Sequence, residues 1–192
     1  DAPYSELRFN GDTIPSLKSM DEKDLVIFLG TISKIFCPGL RIGWIAAEER
    51  LLQKFIIVKQ GSDLQSSTRT QMEISKYMEL YDIDENIAKI KEIYRNRRGI
   101  MLKTMEEEFP ETVTFTYPDG GLFTWVQLPE HMNARNILEE CLKKQVAFVP
   151  GGSFYPNGGT ENTFRLNYSN MPEDRIVEGI KRIGYVLKTF DL

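Results

Sequence analysis

The fold of this 192-residue chain is decided by the stretch Leu25-Val-Ile-Phe-Leu-Gly-Thr-Ile-Ser-Lys-Ile-Phe-Cys-Pro-Gly-Leu-Arg-Ile-Gly43. It opens with an apolar run, residues 25–29, that ends at Gly30, and such a run predicts a strand buried on both faces of a mostly parallel sheet. Residues 41–46 predict a second strand. The residues between them are polar and are broken by a Pro-Gly pair, which predicts a loop. The stretch therefore predicts strand, loop and strand, with Lys34 in the loop.

Charge and composition exclude several classes of function. The net charge is −4, so no overall basic field indicates a nucleic-acid partner. The single histidine, His131, excludes sites that need two, including most His-based zinc sites, and no metal site is expected. The two cysteines form neither a C-x-x-C motif nor a disulfide framework, which favours a reducing compartment, the cytoplasm. The longest apolar run, residues 25–29, is too short to span a bilayer, so no membrane partner is expected.

Outside the opening stretch, helical and strand patterns alternate, which predicts an α/β protein. The last part of the chain has the order β-β-α-β-β-α. Its final helix shows one core-facing stripe of apolar residues at intervals of three and four: Ile176, Ile180, Ile183, Leu187 and Phe190. Helices are predicted at 48–59, 64–80, 85–109, 134–144 and from Pro172 onward, and further strands at 113–117, 121–128, 146–149 and 163–168.

The elements divide unevenly along the chain. A short acidic stretch, residues 81–84, is the expected boundary. Residues 84–192 hold enough strands and helices for a small α/β domain of their own. Residues 1–83 hold too few strands for a closed sheet, so part of their core is expected to come from outside this chain.

Lys34 is the first candidate for chemistry. It follows the end of a strand expected to be buried, where a low dielectric favours the free amine over the ammonium form. A free amine can form a Schiff base with an aldehyde. The alternative is a solvated surface lysine, which is the commoner role of a lysine in such a loop.

Two sets of polar residues accompany this lysine: one flanks it in the sequence, and the other lies near the start of the chain. Thr31, Ser33 and Arg41 offer two hydroxyls and a guanidinium, a set that can bind a phosphate. Their alternative roles are as turn residues and as the first residue of an edge strand. Upstream, Asp1-Ala-Pro-Tyr4 places a carboxylate and a phenol close together, and its alternative is an ordinary turn.

Five motifs occur along the chain in one order, and together they carry a resemblance. The chain resembles the C-terminal half of class I/II, fold type I aminotransferases that depend on pyridoxal 5′-phosphate, over essentially its whole length. It is most similar to the 2-aminoadipate/kynurenine-type branch. The resemblance implies the C-terminal part of a large domain with a mostly parallel sheet at 1–83, then a small α/β domain at 84–192. The motifs are Asp1-Ala-Pro-Tyr4, Gly30-Thr-Ile-Ser-Lys-Ile-Phe-Cys-Pro-Gly-Leu-Arg-Ile-Gly43, Gly120-Gly-Leu-Phe-Thr-Trp-Val-Gln-Leu-Pro129, Val149-Pro-Gly-Gly-Ser-Phe154 and Asn162-Thr-Phe-Arg-Leu-Asn-Tyr-Ser169.

The resemblance implies a catalytic role for Lys34. It matches the family's Schiff-base lysine, which also moves the proton between the substrate Cα and the cofactor. Asp1 matches the acid that keeps the cofactor's pyridine nitrogen protonated, so that the ring accepts electrons from Cα. Tyr4 matches the phenol that hydrogen-bonds the cofactor's 3′ oxygen.

The resemblance also implies two binding sites for anions. Arg41 matches the phosphate-binding arginine, with Thr31 and Ser33 as hydroxyl partners. Arg165 matches the arginine that binds the substrate α-carboxylate through both oxygens. Its alternative is a strand arginine that points to solvent.

The function implied is transfer of an amino group between an amino acid and a 2-oxo acid, by a protein that is a homodimer at full length. Since other parts of the family's cofactor site do not occur here, the isolated 192 residues are expected to be inactive. Three alternatives stay open: an aminotransferase-like effector domain of a winged-helix transcription regulator, a carbon–sulfur lyase on the same scaffold, and a free-standing module from residue 84 onward.

Overall fold

The structure is a computed structural model that describes residues 1–190. The chain divides into two compact units, of which the first is Asp1–Lys91 and the second begins at Glu92. The division falls inside one long helix, Ile83–Glu108. The domain boundary expected between residues 83 and 84 stays a prediction.

The first unit contains one strand pair and two complete helices. Strands β1 (Phe28–Thr31) and β2 (Gly43–Ala46) pair antiparallel, with Thr31 opposite Gly43. The helices are α1 (Glu49–Ser62) and α2 (Thr68–Leu80), and the unit also holds the start of α3 (Ile83–Glu108). Short 3₁₀ turns cover Ser5–Leu7, Leu17–Met20 and Pro38–Leu40.

The strand predicted at 25–29 is wrong in its start, its burial and its pairing. β1 begins only at Phe28, and the Leu25 side chain is 79% exposed. The Asp21 carboxylate accepts hydrogen bonds from the backbone N–H groups of Leu25 and Val26, at 3.1 and 2.9 Å. Those donors are therefore used in a local turn instead of a sheet. The neighbouring strand β2 runs antiparallel, so the mostly parallel sheet is not built from the described strands.

The hydrophobic core of the first unit is small. Helix α1 buries none of its residues, and both of its ends are capped locally. The buried apolar side chains of this unit come mostly from turns and from the later helices; they are Leu7, Phe9, Ile32, Ile74 and Ile87.

The second unit contains a four-stranded antiparallel sheet and two helices after α3. The order β-β-α-β-β-α predicted from the sequence is confirmed, and so is the α/β class. In the sheet the strands lie in the order β3-β4-β6-β5. The elements are β3 (Thr114–Phe115), β4 (Phe123–Gln127), α4 (Ala134–Lys143), β5 (Val149–Pro150), β6 (Thr163–Asn167) and α5 (Glu173–Phe190).

Alternation along the strands builds the core of this unit. Val126 of β4 faces Phe164 of β6 across the sheet, both fully buried, and Phe164 stacks on Phe148 with ring centroids 4.1 Å apart. The predicted stripe of α5 is buried from Ile176 to Leu187, whereas Phe190 is 38% exposed at the helix end. The predicted strand at 146–149 is shorter because the Val146 N–H donates to Cys141 O at the end of α4.

None of the helices within residues 1–190 combines the length and the apolar character needed to cross a membrane.

Candidate active site

A tight turn directly after β1 carries Lys34. Ile32 is buried, and its carbonyl oxygen accepts hydrogen bonds from the N–H groups of Ile35 and Phe36, at 3.3 and 2.9 Å. Lys34 lies inside this turn. The sequence predicted a low-dielectric setting for this lysine, whereas the structure leaves it half-buried. The buried Ile32 thus fixes the backbone while Lys34 stays accessible.

Two later elements of the same unit hold this turn from outside. Asn86 at the start of α3 donates from Nδ2 to Ile35 O at 3.0 Å. The Phe36 ring packs against Tyr77 of α2 with centroids 4.4 Å apart. The role of Asn86 was not predicted, because this hydrogen bond joins residues that are far apart along the chain.

Thr31 and Ser33 form a hydroxyl pair at the end of β1. Their hydroxyl oxygens lie 2.9 Å apart, and the Ser33 N–H donates to Thr31 Oγ1 at 3.1 Å. Thr31 Oγ1 also donates to Ile42 O at 2.9 Å. The hydroxyls are therefore tied to the backbone that follows Arg41.

Arg41 occupies a backbone conformation that is unusual for its side chain. It follows the 3₁₀ turn Pro38–Leu40 with φ of 56°, in the left-handed region. A non-glycine residue there costs on the order of 1 kcal/mol. Its side chain is exposed, and Nη1 donates to Pro38 O at 3.1 Å.

The segment Asp1–Tyr4 lies beside the same end of β1. The Ala2 N–H donates to Leu29 O at 3.1 Å, one residue before Gly30. Asp1 is exposed and Tyr4 is half-buried. The structure thus brings the carboxylate and phenol segment to the strand end from which the Lys34 turn starts.

Gly30 and Trp44 shape the neighbouring surface. A Cβ on Gly30 would overlap the Trp44 ring, so the indole packs directly on the glycine backbone. A cavity of about 360 Å³ lies beside them, lined also by Phe28, Met78 and Ile87. Thr31, Ala2 and Pro3 also line this cavity, so it borders the polar cluster, whereas Lys34 and Arg41 are not among its lining residues.

Arg165 lies in the second unit, in the middle of β6, opposite Trp125 of β4. Its guanidinium carbon lies 3.9 Å from the centroid of the Phe123 ring and 4.5 Å from that of Phe154. Its Nε is buried and has no hydrogen-bond partner within residues 1–190. The predicted alternative, a strand arginine that points freely to solvent, does not describe this side chain. Sequence reasoning missed the two phenylalanines, although strand alternation from Trp125 would have placed Phe123 on the same face.

Other chemically capable side chains are structural or exposed. His131 is exposed. Burial raises the pKa of the Cys141 thiol to about 11, which keeps it protonated and unreactive. Within residues 1–190, no three His, Cys, Asp or Glu side chains group as a metal site requires.

The profile of the family described as aminotransferase class I and II matches residues 1–183. The aromatic-amino-acid aminotransferase 1 of Thermococcus litoralis is 46% identical over 188 residues, which cover 98% of this chain and 45% of the relative. The 2-aminoadipate transaminase of Thermus thermophilus is 37% identical over 98% of this chain and 48% of its own length. The chain thus spans about half the length of the curated relatives it matches.

This chain is also similar to solved aminotransferase structures and to transcriptional regulators. The kynurenine aminotransferase of Pyrococcus horikoshii, solved in complex with PMP, superposes with a TM-score of 0.94 at 40% identity, over 98% of this chain and 46% of that protein. An uncharacterized HTH-type transcriptional regulator of Bacillus subtilis is 29% identical over 94% of this chain and 37% of its own length.

Proposed function

Because the chain belongs to the family of class I and II aminotransferases, we propose that the full-length protein uses pyridoxal 5′-phosphate to move an amino group between an amino acid and a 2-oxo acid. The observation that carries this proposal is the set of groups at the end of β1. A primary amine, a hydroxyl pair, a guanidinium and a carboxylate segment start from neighbouring backbone positions there. Arg165 belongs to the second unit, where it lies in β6.

The residues of the first unit fit the chemistry of this cofactor. Arg41 and the hydroxyls of Thr31 and Ser33 match a phosphate in charge and in hydrogen bonding. An arriving phosphate oxygen would accept a hydrogen bond from the Ser33 hydroxyl, whose oxygen lies 2.9 Å from Thr31 Oγ1. Asp1 is exposed and free to approach a pyridine nitrogen.

Lys34 would hold the cofactor covalently through Nζ. When bound, the cofactor supplies an electron sink for the electron pair left at the substrate Cα. Lys34 Nζ would then act as the base that moves the proton between the substrate Cα and the cofactor. Asp1 would keep the ring nitrogen protonated, and Tyr4 would donate to the 3′ oxygen. These roles use the half-buried, accessible setting of Lys34.

Arg165 would bind the substrate α-carboxylate. A guanidinium and a carboxylate form two parallel hydrogen bonds, and this fixes the substrate orientation as well as its affinity. With the carboxylate held, the Cα–H bond can be aligned for proton removal.

The substrate class of the proposal is an α-amino acid together with a 2-oxo acid. The names of the relatives differ in their amino acid, which is aromatic, 2-aminoadipate or kynurenine. We place the full-length protein in the cytoplasm as a homodimer. Both cysteines, Cys37 and Cys141, are free thiols, which supports a reducing compartment.

A transcription regulator is the second candidate function. It is favoured by the 29% identity to the regulator of Bacillus subtilis over 94% of the chain. The higher identity, 46%, to a named aminotransferase favours the enzyme.

The test is borohydride reduction of the cofactor-loaded, full-length protein, followed by mass spectrometry. The adduct is expected on Lys34. Lys34→Ala should lower transamination by more than about 1,000-fold, whereas the matched control Lys54→Ala, on the exposed surface of α1, should not. An adduct at another lysine contradicts the assignment. Pyruvate and ammonia as products would indicate a lyase, and sequence-specific DNA binding without transamination would indicate a regulator.

A further inference from the structure

Two aromatic rings from different elements pack against the Arg165 guanidinium. Phe123 lies in β4 with its ring centroid 3.9 Å from Arg165 Cζ, and Phe154 lies at the end of the 3₁₀ turn Gly151–Phe154 with its centroid 4.5 Å away. Both distances are well inside the range of about 6 Å at which a cation over a ring face is attracted to it. Among the described residues 1–190, the Nε of this guanidinium has no hydrogen-bond partner, so its described contacts are with the two rings.

The sheet register places Phe123. β4 and β6 pair antiparallel with Trp125 opposite Arg165. Alternate residues of a strand share one face, so Phe123, two positions before Trp125, emerges on the face that carries Arg165.

Close backbone packing places Phe154. A Cβ on Gly151 would overlap Thr163, including its backbone O at 2.9 Å, whereas a Cβ on Gly152 would meet the end of the flexible Glu161 side chain, with Oε1 at 2.6 Å. The absence of a side chain at Gly151 therefore lets the turn lie directly on the start of β6. The turn then directs Phe154 toward Arg165 and against Trp125, with the two ring centroids 5.6 Å apart.

We infer that Phe123 and Phe154 are positioning residues for the substrate carboxylate, since they order the Arg165 guanidinium before substrate binds and leave its Nη atoms to receive the carboxylate. This inference rests on the proposed function of Arg165. Nε is buried, so the accessible donors are the Nη groups. A free arginine side chain loses rotamer freedom when it binds, and a side chain already held by two rings loses less.

The consequence is a specific kinetic signature. The rings do not touch the reacting Cα in this assignment, so their loss should weaken carboxylate binding and leave the chemical step nearly unchanged. Leucine fills much of the same volume but has no π face, whereas tyrosine keeps the face. The leucine and tyrosine variants therefore differ in whether the side chain can attract the Arg165 cation through a ring face.

The experiment uses the full-length, cofactor-loaded enzyme with Phe154→Leu, Phe123→Leu and Phe154→Tyr. Each leucine variant is expected to raise KM for both the amino acid and the 2-oxo acid by about 3- to 30-fold, with kcat changed less than about 3-fold. Phe154→Tyr is expected to restore KM to near the wild-type value. The affinity for a primary amine that lacks a carboxylate should be the same in wild type and variants.

Phe115→Leu is the matched control. Phe115 also packs against two rings, Phe109 and Tyr117, but does not contact Arg165. It should affect stability as the other leucine variants do, and it should leave KM unchanged.

Arg165→Gln separates failure of this inference from failure of the proposed function. If Arg165→Gln raises KM strongly while both leucine variants leave it unchanged, the inference is overturned and the role of Arg165 stands. If Arg165→Gln leaves KM unchanged, the proposed function of Arg165 is wrong as well. If Phe154→Leu raises KM further in the Arg165→Gln background, the ring does not act through Arg165, and the inference is also overturned.

Discussion

The two units of this chain differ in how they bury their apolar residues. In the second unit, strand alternation and one helical stripe of α5 place the large apolar side chains in a single core. In the first unit, α1 buries nothing, and it exposes the adjacent apolar residues Ile56, Ile57 and Val58. The unit that carries Lys34 is therefore the one with the weaker core.

This difference connects stability with chemistry. Exposed apolar patches of this kind mark surfaces that are covered by another part of a protein or by a partner. The polar cluster at the end of β1 is likewise open, with Asp1 and Arg41 exposed. Arg165, by contrast, already contacts two rings in the second unit. We therefore expect the first unit to depend on further packing for both its core and its site.

The largest expected effect concerns activity. The 192-residue chain expressed alone should show no transamination above background, a loss of more than about 1,000-fold against the full-length protein. The reason is that the groups proposed to bind the cofactor lie on the unit with few buried residues. Steady-state assay of both proteins with pyridoxal 5′-phosphate measures this loss. Robust transamination by the isolated chain would show that the first unit needs nothing further.

The next largest effect compares the two units in stability. Phe164→Ala removes a fully buried ring from the sheet and should lower the free energy of unfolding of the second unit by about 3–5 kcal/mol. Ile57→Ala, at a side chain that is 60% exposed in α1, should change the free energy of unfolding of the first unit by less than about 0.5 kcal/mol. Urea unfolding followed by circular dichroism measures both. Equal effects would mean that Ile57 of α1 is packed as closely as Phe164 is in the sheet.

The second unit was the easier one to predict from sequence, and the reason is physical. Its strands pair with one another, and α5 packs against residues of the same unit. The apolar periodicity of each element therefore predicts which side faces the core. The run at 25–29 is apolar enough for a buried strand, yet the backbone donors of Leu25 and Val26 are used by Asp21. Periodicity does not report such local competition.

The candidate site divides in the same way. Lys34, Thr31 and Ser33 were recognisable because they follow one another along the chain and share one turn. Asn86 and Phe154 were not, because each meets its partner through tertiary packing. The sequence distance between Asn86 and Ile35 leaves no local signal at all.

A smaller effect tests how closely α5 approaches the end of α3. A Cβ on Gly184 would lie 2.6 Å from Glu108 O, which is backbone and cannot move aside easily. Gly184→Ala should therefore lower the free energy of unfolding by about 1–3 kcal/mol. Gly99→Ala, in α3 with no atom near the added Cβ, should raise it by about 0.5–1 kcal/mol through helix propensity.

Thermal unfolding measures both the stability loss expected for Gly184→Ala and the stability gain expected for Gly99→Ala. Gly61→Ala extends the comparison to α1, where the added Cβ also meets no atom. It should raise the helix content of α1 without moving the unfolding midpoint of the second unit. A shift of that midpoint by Gly61→Ala would contradict the separation of the two cores.

The smallest effect is a pH dependence at the start of α5. Backbone hydrogen bonding at the helix N-terminus and the Arg97 guanidinium, with Nε at 3.3 Å, hold the pKa of the Glu173 carboxyl below its usual value of 4.5. The unfolded chain therefore binds this proton more readily than the folded chain, so stability from Glu173 is present above about pH 4.5 and is lost as the pH falls through the lower, folded pKa. Glu173→Gln should remove this contribution, and the acid arm of its unfolding curve should be flatter than that of the wild type. Glu139→Gln is a control for a surface carboxylate whose helix, α4, lies elsewhere in the same unit. An acid arm with equal slope in wild type and Glu173→Gln would show that the pKa of Glu173 does not differ between the folded and the unfolded chain.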